Sequence, residues 1–288
     1  MFRDLEQFAD ITPVVASGKA TARLPAFGEY QAIHLQCLDS GAAAVSVANI
    51  LADITNIKLT LNGTTAWEAS AAALQKLYEA QYFKLADVAP IAGVLTIPLA
   101  NDFLTKFADT RITGWGMANV DTFQLELTFG ASVATATHIS TIEVFVERVP
   151  TNAALGLHRR LYTITRNFPS AGDQDITDIP FNTNELTAGL HLLYDGSAAV
   201  VNQLELKLNN DTRQIFTPLI QRAVLEKRGR KFMVAGAAND LFQIPFDLSN
   251  DGSGYLDHRL LEDMRILVNW SAAPGTFYIL REVYVGAK

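Results

Sequence analysis

Apolar and polar residues alternate with a period of two along much of this chain. The clearest runs cover residues 57–61, 123–129, 204–208 and 264–270. Because successive side chains of a strand point to opposite faces of a sheet, this alternation predicts strands with one face in a core. Clusters of Gly, Asn, Asp and Pro separate the runs, as turns do. The pattern therefore predicts a mainly β protein.

Two stretches have helical spacing instead. The first begins at Thr65, where Thr-Ala-Trp-Glu has the form of a capping box, and apolar residues then recur at helical intervals as far as Tyr82. The second begins at Thr217 and has Pro218 where a first helical residue tolerates a missing N–H. These patterns predict helices over about 65–82 and over 217–227.

Short segments recur in the same order in the two halves of the chain. The pairs are Leu24-Pro25 with Ile179-Pro180, Ile33-His34-Leu35 with Leu190-His191-Leu192, Leu59-Thr60-Leu61-Asn62 with Leu206-Lys207-Leu208-Asn209, Ile97-Pro98 with Ile244-Pro245, residues 123–129 with 264–270, and residues 143–146 with 282–285. Any one pair of alternating strands matches easily by chance, but a series in register indicates a duplicated unit.

The repeat predicts two tandem antiparallel jelly-roll sandwiches, a double jelly roll, each with one inserted helix. We expect the N-terminal jelly roll, with a short N-terminal arm, over residues 1–150 and the C-terminal one over 151–288. Period-two patterning does not distinguish a jelly roll from another two-sheet sandwich.

Composition limits the function. Charged residues make up 18% of the 288 residues, below the roughly 25% of an average soluble domain, which favours a protein whose surface is covered in an assembly. The net charge of -7 would repel a phosphate backbone, so we expect no direct contact with nucleic acid. Arg3, Asp4 and Glu6 interrupt any secretion signal, and the single cysteine, Cys37, fits folding in a reducing cytosol.

No motif of a known catalytic class is found in the sequence. The His-x-His pair of a metal-dependent jelly-roll enzyme is missing, because Gln36 and Leu193 stand two positions after His34 and His191. We therefore interpret the two histidines as hydrogen-bonded structural residues. There is also no Gly-x-Ser-x-Gly elbow and no phosphate-binding Gly-Lys-Ser/Thr loop, so we expect no enzyme activity.

Two groups of residues are candidate binding sites. One is an acidic loop with near-calcium-loop spacing, whose oxygen side chains are Asp247, Ser249, Asp251 and Asp257. Because His258 replaces the closing glutamate, a solvated turn is the alternative. The other group is basic and is a candidate for contact with anionic lipid: Arg3, Lys227, Arg228, Arg230 and Lys231. A solvated helix end is its alternative interpretation.

Three segments carry a resemblance to a known family: Ala-Thr-Ala-Arg-Leu-Pro at 20–25, Tyr-Gln-Ala-Ile-His-Leu at 30–35 and Ile-Lys-Leu-Thr-Leu-Asn-Gly at 57–63. With the duplicated sandwich, they resemble the double-jelly-roll major capsid proteins of tailless icosahedral bacteriophages with an internal membrane, best the corticovirus-type coat protein. The resemblance covers residues 20–83 most closely and the second copy more loosely.

The resemblance implies a structural virion protein. Members of this family form pseudo-hexagonal homotrimers that tile an icosahedral shell around an internal lipid membrane. It implies as partners the neighbouring capsid trimers, a penton protein, and lipids or proteins of the membrane at peripheral contacts. It also implies assembly in the host cytoplasm, and calcium is associated with corticovirus-type particles.

A different class of function is a carbohydrate-binding or glycan-active double β-sandwich. Such a protein needs paired carboxylates and an aromatic platform. Trp67 and Trp270 lie on stripes that we expect to face a core, which leaves Trp115 as the available tryptophan.

Overall fold

The computed structural model of the chain describes residues 4–12, 14–82, 91–100, 113–246 and 254–286. The chain divides into two compact units. Unit 1 comprises residues 1–78, 88–162 and 286–288, and unit 2 comprises residues 79–87 and 163–285. Both are built mainly from antiparallel strands, as the alternation predicts.

Over its described residues, unit 1 contains the first nine strands and two helices. In chain order they are β1 (Asp4–Ile11), β2 (Lys19–Leu24), β3 (Glu29–Leu38), α1 (Val47–Asp53), β4 (Ile54–Leu61), β5 (Thr64–Ala69), α2 (Ala71–Tyr82), β6 (Val94–Pro98), β7 (Trp115–Gly116), β8 (Phe123–Phe129) and β9 (Thr141–Val149). The last residues of α2 belong to unit 2. Strand β10 (His158–Phe168) has its first five residues in unit 1 and the remainder in unit 2.

Unit 2 continues with β11 (Gly172–Ile176), β12 (Glu185–Tyr194), β13 (Val201–Leu208), β14 (Asp211–Phe216), α3 (Pro218–Lys227), β15 (Asp240–Pro245), β16 (Leu256–Asp257), a 3-10 turn (His258–Leu260), β17 (Met264–Trp270) and β18 (Gly275–Val285). Its core contains Leu190, Leu204, Val268, Trp270 and Phe277, all at most 1% exposed.

The two units have the same strand order. In unit 1 the sheets run β1-β9-β3-β6 and β5-β4-β8-β2. In unit 2 the corresponding orders are β10-β18-β12-β15 and β14-β13-β17-β11. Two four-stranded sheets with this connectivity make a jelly roll. The structure therefore confirms the double jelly roll.

Irregularities of register also recur at equivalent positions. The pairing of β3 with β9 shifts between Tyr30 and Ala32, and that of β12 with β18 shifts between Thr187 and Gly189, 157 positions later. The β4–β5 pairing shifts after Leu59, and the β13–β14 pairing shifts after Leu206, 147 positions later. A bulge adds a residue at a defined place in a ladder, so matching bulges are strong evidence of duplication. They confirm an offset of 157 for the segment around His34 and of 147 for the segment around Leu59.

The first predicted helix begins later than the sequence pattern indicates. Thr65 and Trp67 lie in strand β5, and α2 starts at Ala71. Ser70 caps it, because its Oγ accepts a hydrogen bond from the backbone N of Ala73 at 3.1 Å. The capping box at Thr65 was therefore wrong. The second helix is confirmed, with Thr217 as its N-cap and Pro218 as its first residue.

Unit 1 contains a helix that the sequence did not predict. Helix α1 follows Ser46, whose side chain accepts from the backbone N of Asn49, and buries Ile50 and Asp53. Unit 2 crosses from β12 to β13 without a helix. The expectation of one inserted helix per unit is thus wrong for unit 1.

The last pair of the sequence repeat was four residues out of register. Ala32 pairs with Glu147, and the equivalent Gly189 pairs with Glu282. Glu147, and not Glu143, is therefore the counterpart of Glu282. A four-residue slip preserves which side chains face the core, so alternation alone does not detect it.

The N-terminal arm is a strand over its described residues. Strand β1 pairs antiparallel with β9 along its length, with Asp4 opposite Arg148 and Ile11 opposite Ile142. The short arm expected from the sequence is therefore a paired strand over these residues.

Candidate assembly surfaces

The three tryptophans are buried. Trp67 and Trp115 are 0% exposed and Trp270 is 1% exposed. Trp115 lies against Phe123 and His158, with ring centroids 5.9 and 5.8 Å away. A glycan platform needs an exposed aromatic face, so none of the three provides one.

The two duplicated histidines sit beside equivalent glutamates. His34 Nε2 lies 3.6 Å from Glu147 Oε2, and His191 Nε2 lies 3.6 Å from Glu282 Oε2. His34 Nδ1 also lies 3.0 Å from Thr96 Oγ1. These contacts join neighbouring strands within each unit, which fits the structural role predicted for both residues.

His158 is a buried histidine that is held neutral mainly by its burial. Its Nδ1 lies 2.8 Å from the carbonyl oxygen of Gly156, and its Nε2 accepts from Arg160 Nε at 2.9 Å. Burial, reinforced by the charge of Arg160, lowers the pKa of His158 to about 4. The imidazole is a fixed structural element of unit 1.

Asp257 is the one calcium candidate within the described residues, since Asp247, Ser249 and Asp251 lie outside them. Its carboxylate accepts from Arg259 Nε at 2.8 Å and from the Arg259 backbone N at 3.0 Å. These hydrogen bonds lower the pKa of Asp257 to about 2. A calcium ion at this carboxylate would have to displace the guanidinium.

His258, at the closing position of that loop, is buried. Its Nε2 lies 2.7 Å from Thr187 Oγ1 and its Nδ1 lies 3.1 Å from the carbonyl oxygen of Asn182. Burial lowers the pKa of His258. This ring belongs to the interior of unit 2 and is not a ligand in a loop.

The basic candidates do not form one exposed set. Lys227, Arg228 and Lys231 are exposed at the end of α3, whereas Arg230 is only 4% exposed. Lys231 Nζ lies 3.9 Å from Glu79. Arg3 lies outside the described residues. The structure therefore leaves three of these side chains at a surface.

Strand β1 exposes two large apolar side chains at the edge of its sheet. Leu5 is 65% exposed and Phe8 is 41% exposed. Phe8 also lines an open depression of about 250 Å³, together with residues 23–26 and Asp121. Exposed apolar side chains on an edge strand are typical of a contact with another chain.

Unit 2 has a second exposed apolar group, which we name the β14–α3 patch. It consists of Ile215, Leu219 and Ile220, which are 56%, 75% and 53% exposed. Sequence reasoning missed this patch. The available signals are an apolar residue, Ile215, at an outward-facing position of β14 and two adjacent aliphatic residues, Leu219 and Ile220, on a short helix.

Two classes of site are not found in the described part of the chain. Within those residues no three His, Cys, Asp or Glu side chains are grouped to hold a metal ion. The same residues contain no helix long and apolar enough to span a bilayer. Cys37 is buried, and burial raises the pKa of its thiol to about 12.

Residues 5–146 match the model of one protein family, the viral coat protein P2 N-terminal domain. A search of curated protein sequences gives no match.

Several solved structures have the same fold along the whole chain. The major capsid protein P2 of bacteriophage PM2 is 18% identical with a TM-score of 0.77, covering 100% of this chain and 98% of that chain. The STIV major capsid protein is 14% identical with a TM-score of 0.69, covering 99% and 97%. A PBCV-1 virus capsid chain is 11% identical with a TM-score of 0.61, covering 98% and 93%. At these identities the likeness establishes the fold.

Proposed function

We infer that this chain, whose residues 5–146 belong to the family of viral coat protein P2 N-terminal domains, is a major capsid protein. The observation that carries the inference is the likeness to the PM2 capsid protein across both units, since it leaves almost no residue of either chain unmatched. A shared jelly roll alone would not assign a function, because this architecture has several unrelated uses. The match of residues 5–146 to a viral coat protein family supports the assignment of function.

We propose that the protein forms homotrimers that tile an icosahedral shell around an internal lipid membrane. Two similar units per chain give six jelly rolls around a threefold axis, which approximates a hexagonal outline. Contacts between different surfaces of successive copies close into a ring when the rotation closes. The low content of charged residues, 18%, supports a chain whose surface is largely covered in such an assembly.

The proposed partners are neighbouring trimers, a penton protein and the membrane surface, and the proposed place of assembly is the host cytoplasm. Its role is assembly and not catalysis. We place the junction of the two duplicated modules between residues 150 and 157, after β9 ends at Val149 and before β10 begins at His158.

Sedimentation of the purified chain tests the trimer. We expect a species of three times the 31.5 kDa chain mass, with a nearly hexagonal outline by electron microscopy. A chain that stays monomeric at every concentration would contradict the proposal.

A further inference from the structure

The β14–α3 patch has a counterpart in unit 1. The turn before β5 and the turn before β14 are the same, with Asn62 and Asn209 at positive φ and 147 positions apart. Leu59 pairs with Trp67 and Leu206 pairs with Gln214, which preserves that offset through the hairpin. The same offset of 147 relates the helix caps Ser70 and Thr217. The edge formed by β14 and α3 therefore corresponds to the edge formed by β5 and α2. Leu219 and Ile220 are then equivalent to Ala72 and Ala73.

In unit 1 this edge is covered. Leu161, in the first part of β10, pairs with Trp67 in β5. The guanidinium of Arg159 lies over the Trp67 ring, 5.3 Å from its centroid. Arg159, Leu161 and Trp67 are at most 1% exposed, and so is Ala73 at the start of α2. The beginning of a strand from the next module thus closes the β5 edge.

In unit 2 the equivalent edge is open. Within the described residues, β14 is the last strand of its sheet and pairs only with β13. Where unit 1 has the covered Ala73, unit 2 has Ile220 at 53% exposure. Three large aliphatic side chains on an unpaired edge leave apolar surface in water, which favours a protein partner.

The topology identifies one occupant for this edge. The strand that covers β5 is β10, the first strand of the second module. Its counterpart by strand order is β1, the first strand of the first module. In the part of the chain that the structure describes, β1 is likewise a sheet edge, and it exposes Leu5 and Phe8.

Strand β1 is acidic, and two arginines flank the β14–α3 patch. Strand β1 carries Asp4, Glu6 and Asp10 and no basic residue. Arg213 and Arg222 flank the β14–α3 patch, each within 3.1 Å of a nearby acid in the same unit. Such exposed ion pairs are weak and exchange readily, so a second acidic surface can compete for these arginines.

We propose that the β14–α3 patch receives β1 of a second copy of this chain. Between copies, β1 thus covers the β14 edge in the way that β10 covers the β5 edge within one copy. It joins two different surfaces, so it propagates head to tail and closes on the third copy in the proposed trimer. The inference rests on the proposed capsid function and adds the surface through which its trimer forms.

The double variant Leu219→Glu/Ile220→Glu tests the patch by sedimentation. Both side chains are exposed in the single chain, so the melting temperature of the separate monomer should not change. We expect the concentration at which half of the chains are trimeric to rise about tenfold or more, because the variant loses aliphatic contacts that become buried in the proposed interface. The matched control is Ile91→Glu, at a side chain 70% exposed in unit 1, which should trimerise like the unaltered chain.

Chemical cross-linking tests the partner strand. Cys37 is buried, so a short bismaleimide should react with introduced cysteines alone. In the Leu5→Cys/Ile215→Cys chain we expect covalent dimers and trimers. In the control Leu5→Cys/Asp175→Cys, where Asp175 lies on β11 at the opposite edge of the same sheet, we expect monomers.

The outcomes separate this inference from the proposed function. If the unaltered chain is trimeric and the double variant trimerises equally well, or if both cysteine pairs cross-link alike, the β14–α3 surface is refuted while the trimer stands. If the unaltered chain is monomeric at every concentration, the proposed trimer itself fails.

Discussion

Asn62 and Asn209 hold the same turn in the two units. The side-chain oxygen of Asn62 accepts from the backbone N of Asp121 at 2.8 Å and of Thr122 at 3.0 Å. The side-chain oxygen of Asn209 accepts in the same way from Glu262 and Asp263, at 2.8 and 3.3 Å. Each residue also has a positive φ, which asparagine tolerates better than most residues. One side chain thus both shapes a hairpin and ties it to a neighbouring connection.

Replacing either asparagine with alanine should destabilise the protein. We expect Asn62→Ala and Asn209→Ala each to lower the free energy of unfolding by about 1–2 kcal/mol, because two backbone donors lose their acceptor and the backbone becomes strained. Urea denaturation measures the change. Asn184→Ala, at an exposed loop position, is the control and should change stability by less than about 0.5 kcal/mol. Equal losses at Asn62 and Asn184 would contradict this role.

Acid should weaken unit 1 through His158. Its folded pKa, about 4, lies below the ordinary value of 6.5, so the folded state favours the neutral ring. This contribution is fully present above about pH 6.5 and is lost as the pH falls toward 4, amounting to about 3 kcal/mol at the low end.

The variant His158→Gln isolates that contribution. We expect the unfolding free energy of the variant to fall less steeply between pH 6.5 and 4 than that of the unaltered chain, as measured by denaturation at a series of pH values. His34→Gln, at a partly exposed histidine, serves as the comparison. Parallel curves for the His158 variant and the unaltered chain would show that this ring does not govern the acid response.

At the scale of elements, the period-two runs predicted the strands well because one face of each lies in a core. The sequence failed where two patterns overlap. Residues 65–69 have both a capping-box form and a β-turn before them, and the Asn62-Gly63 turn decides in favour of a hairpin. Helix α1 is too short for its periodicity to stand out. The β14–α3 patch was missed because the sequence shows apolar residues at 215, 219 and 220 but does not show whether another element covers them.

The position of the α2 cap can be measured directly. We expect Ser70→Ala to cost about 1 kcal/mol of unfolding free energy, because the backbone N of Ala73 loses its acceptor. Thr65→Ala should cost less than about 0.5 kcal/mol, since Thr65 caps no helix and lies in a short strand. Thermal or urea unfolding of the two variants gives the comparison, and a larger loss at Thr65 would restore the capping box at that residue.

At the scale of the whole molecule, charge is divided unevenly along the chain. Residues 1–150 carry 9 basic and 15 acidic side chains, and residues 151–288 carry 14 and 15. The exposed cations at the end of α3 therefore belong to the less acidic part. Anionic lipid attracts such side chains by about 1 kcal/mol each near the membrane surface, and salt screens the attraction.

Membrane contact through these cations has a specific signature. We expect the triple variant Lys227→Ala/Arg228→Ala/Lys231→Ala to bind vesicles containing phosphatidylserine more weakly, by about tenfold or more, in a flotation assay at low salt. Binding to vesicles of neutral lipid should be weak for both chains. The control is Arg166→Ala, elsewhere in unit 2, which should bind like the unaltered chain. Undiminished binding by the triple variant would assign the α3 end to a solvated helix terminus.

The connection that carries α1 in unit 1 and no helix in unit 2 marks a place where the chain accepts extra length. A foreign peptide of about ten residues inserted after Asp195 would match the extra length that unit 1 already carries between β3 and β4, and the bulges on either side of that connection keep equivalent positions in the two units. If the protein builds a shell, each copy would then carry one such graft, and the particle would become a regular lattice for displaying antigens or enzymes.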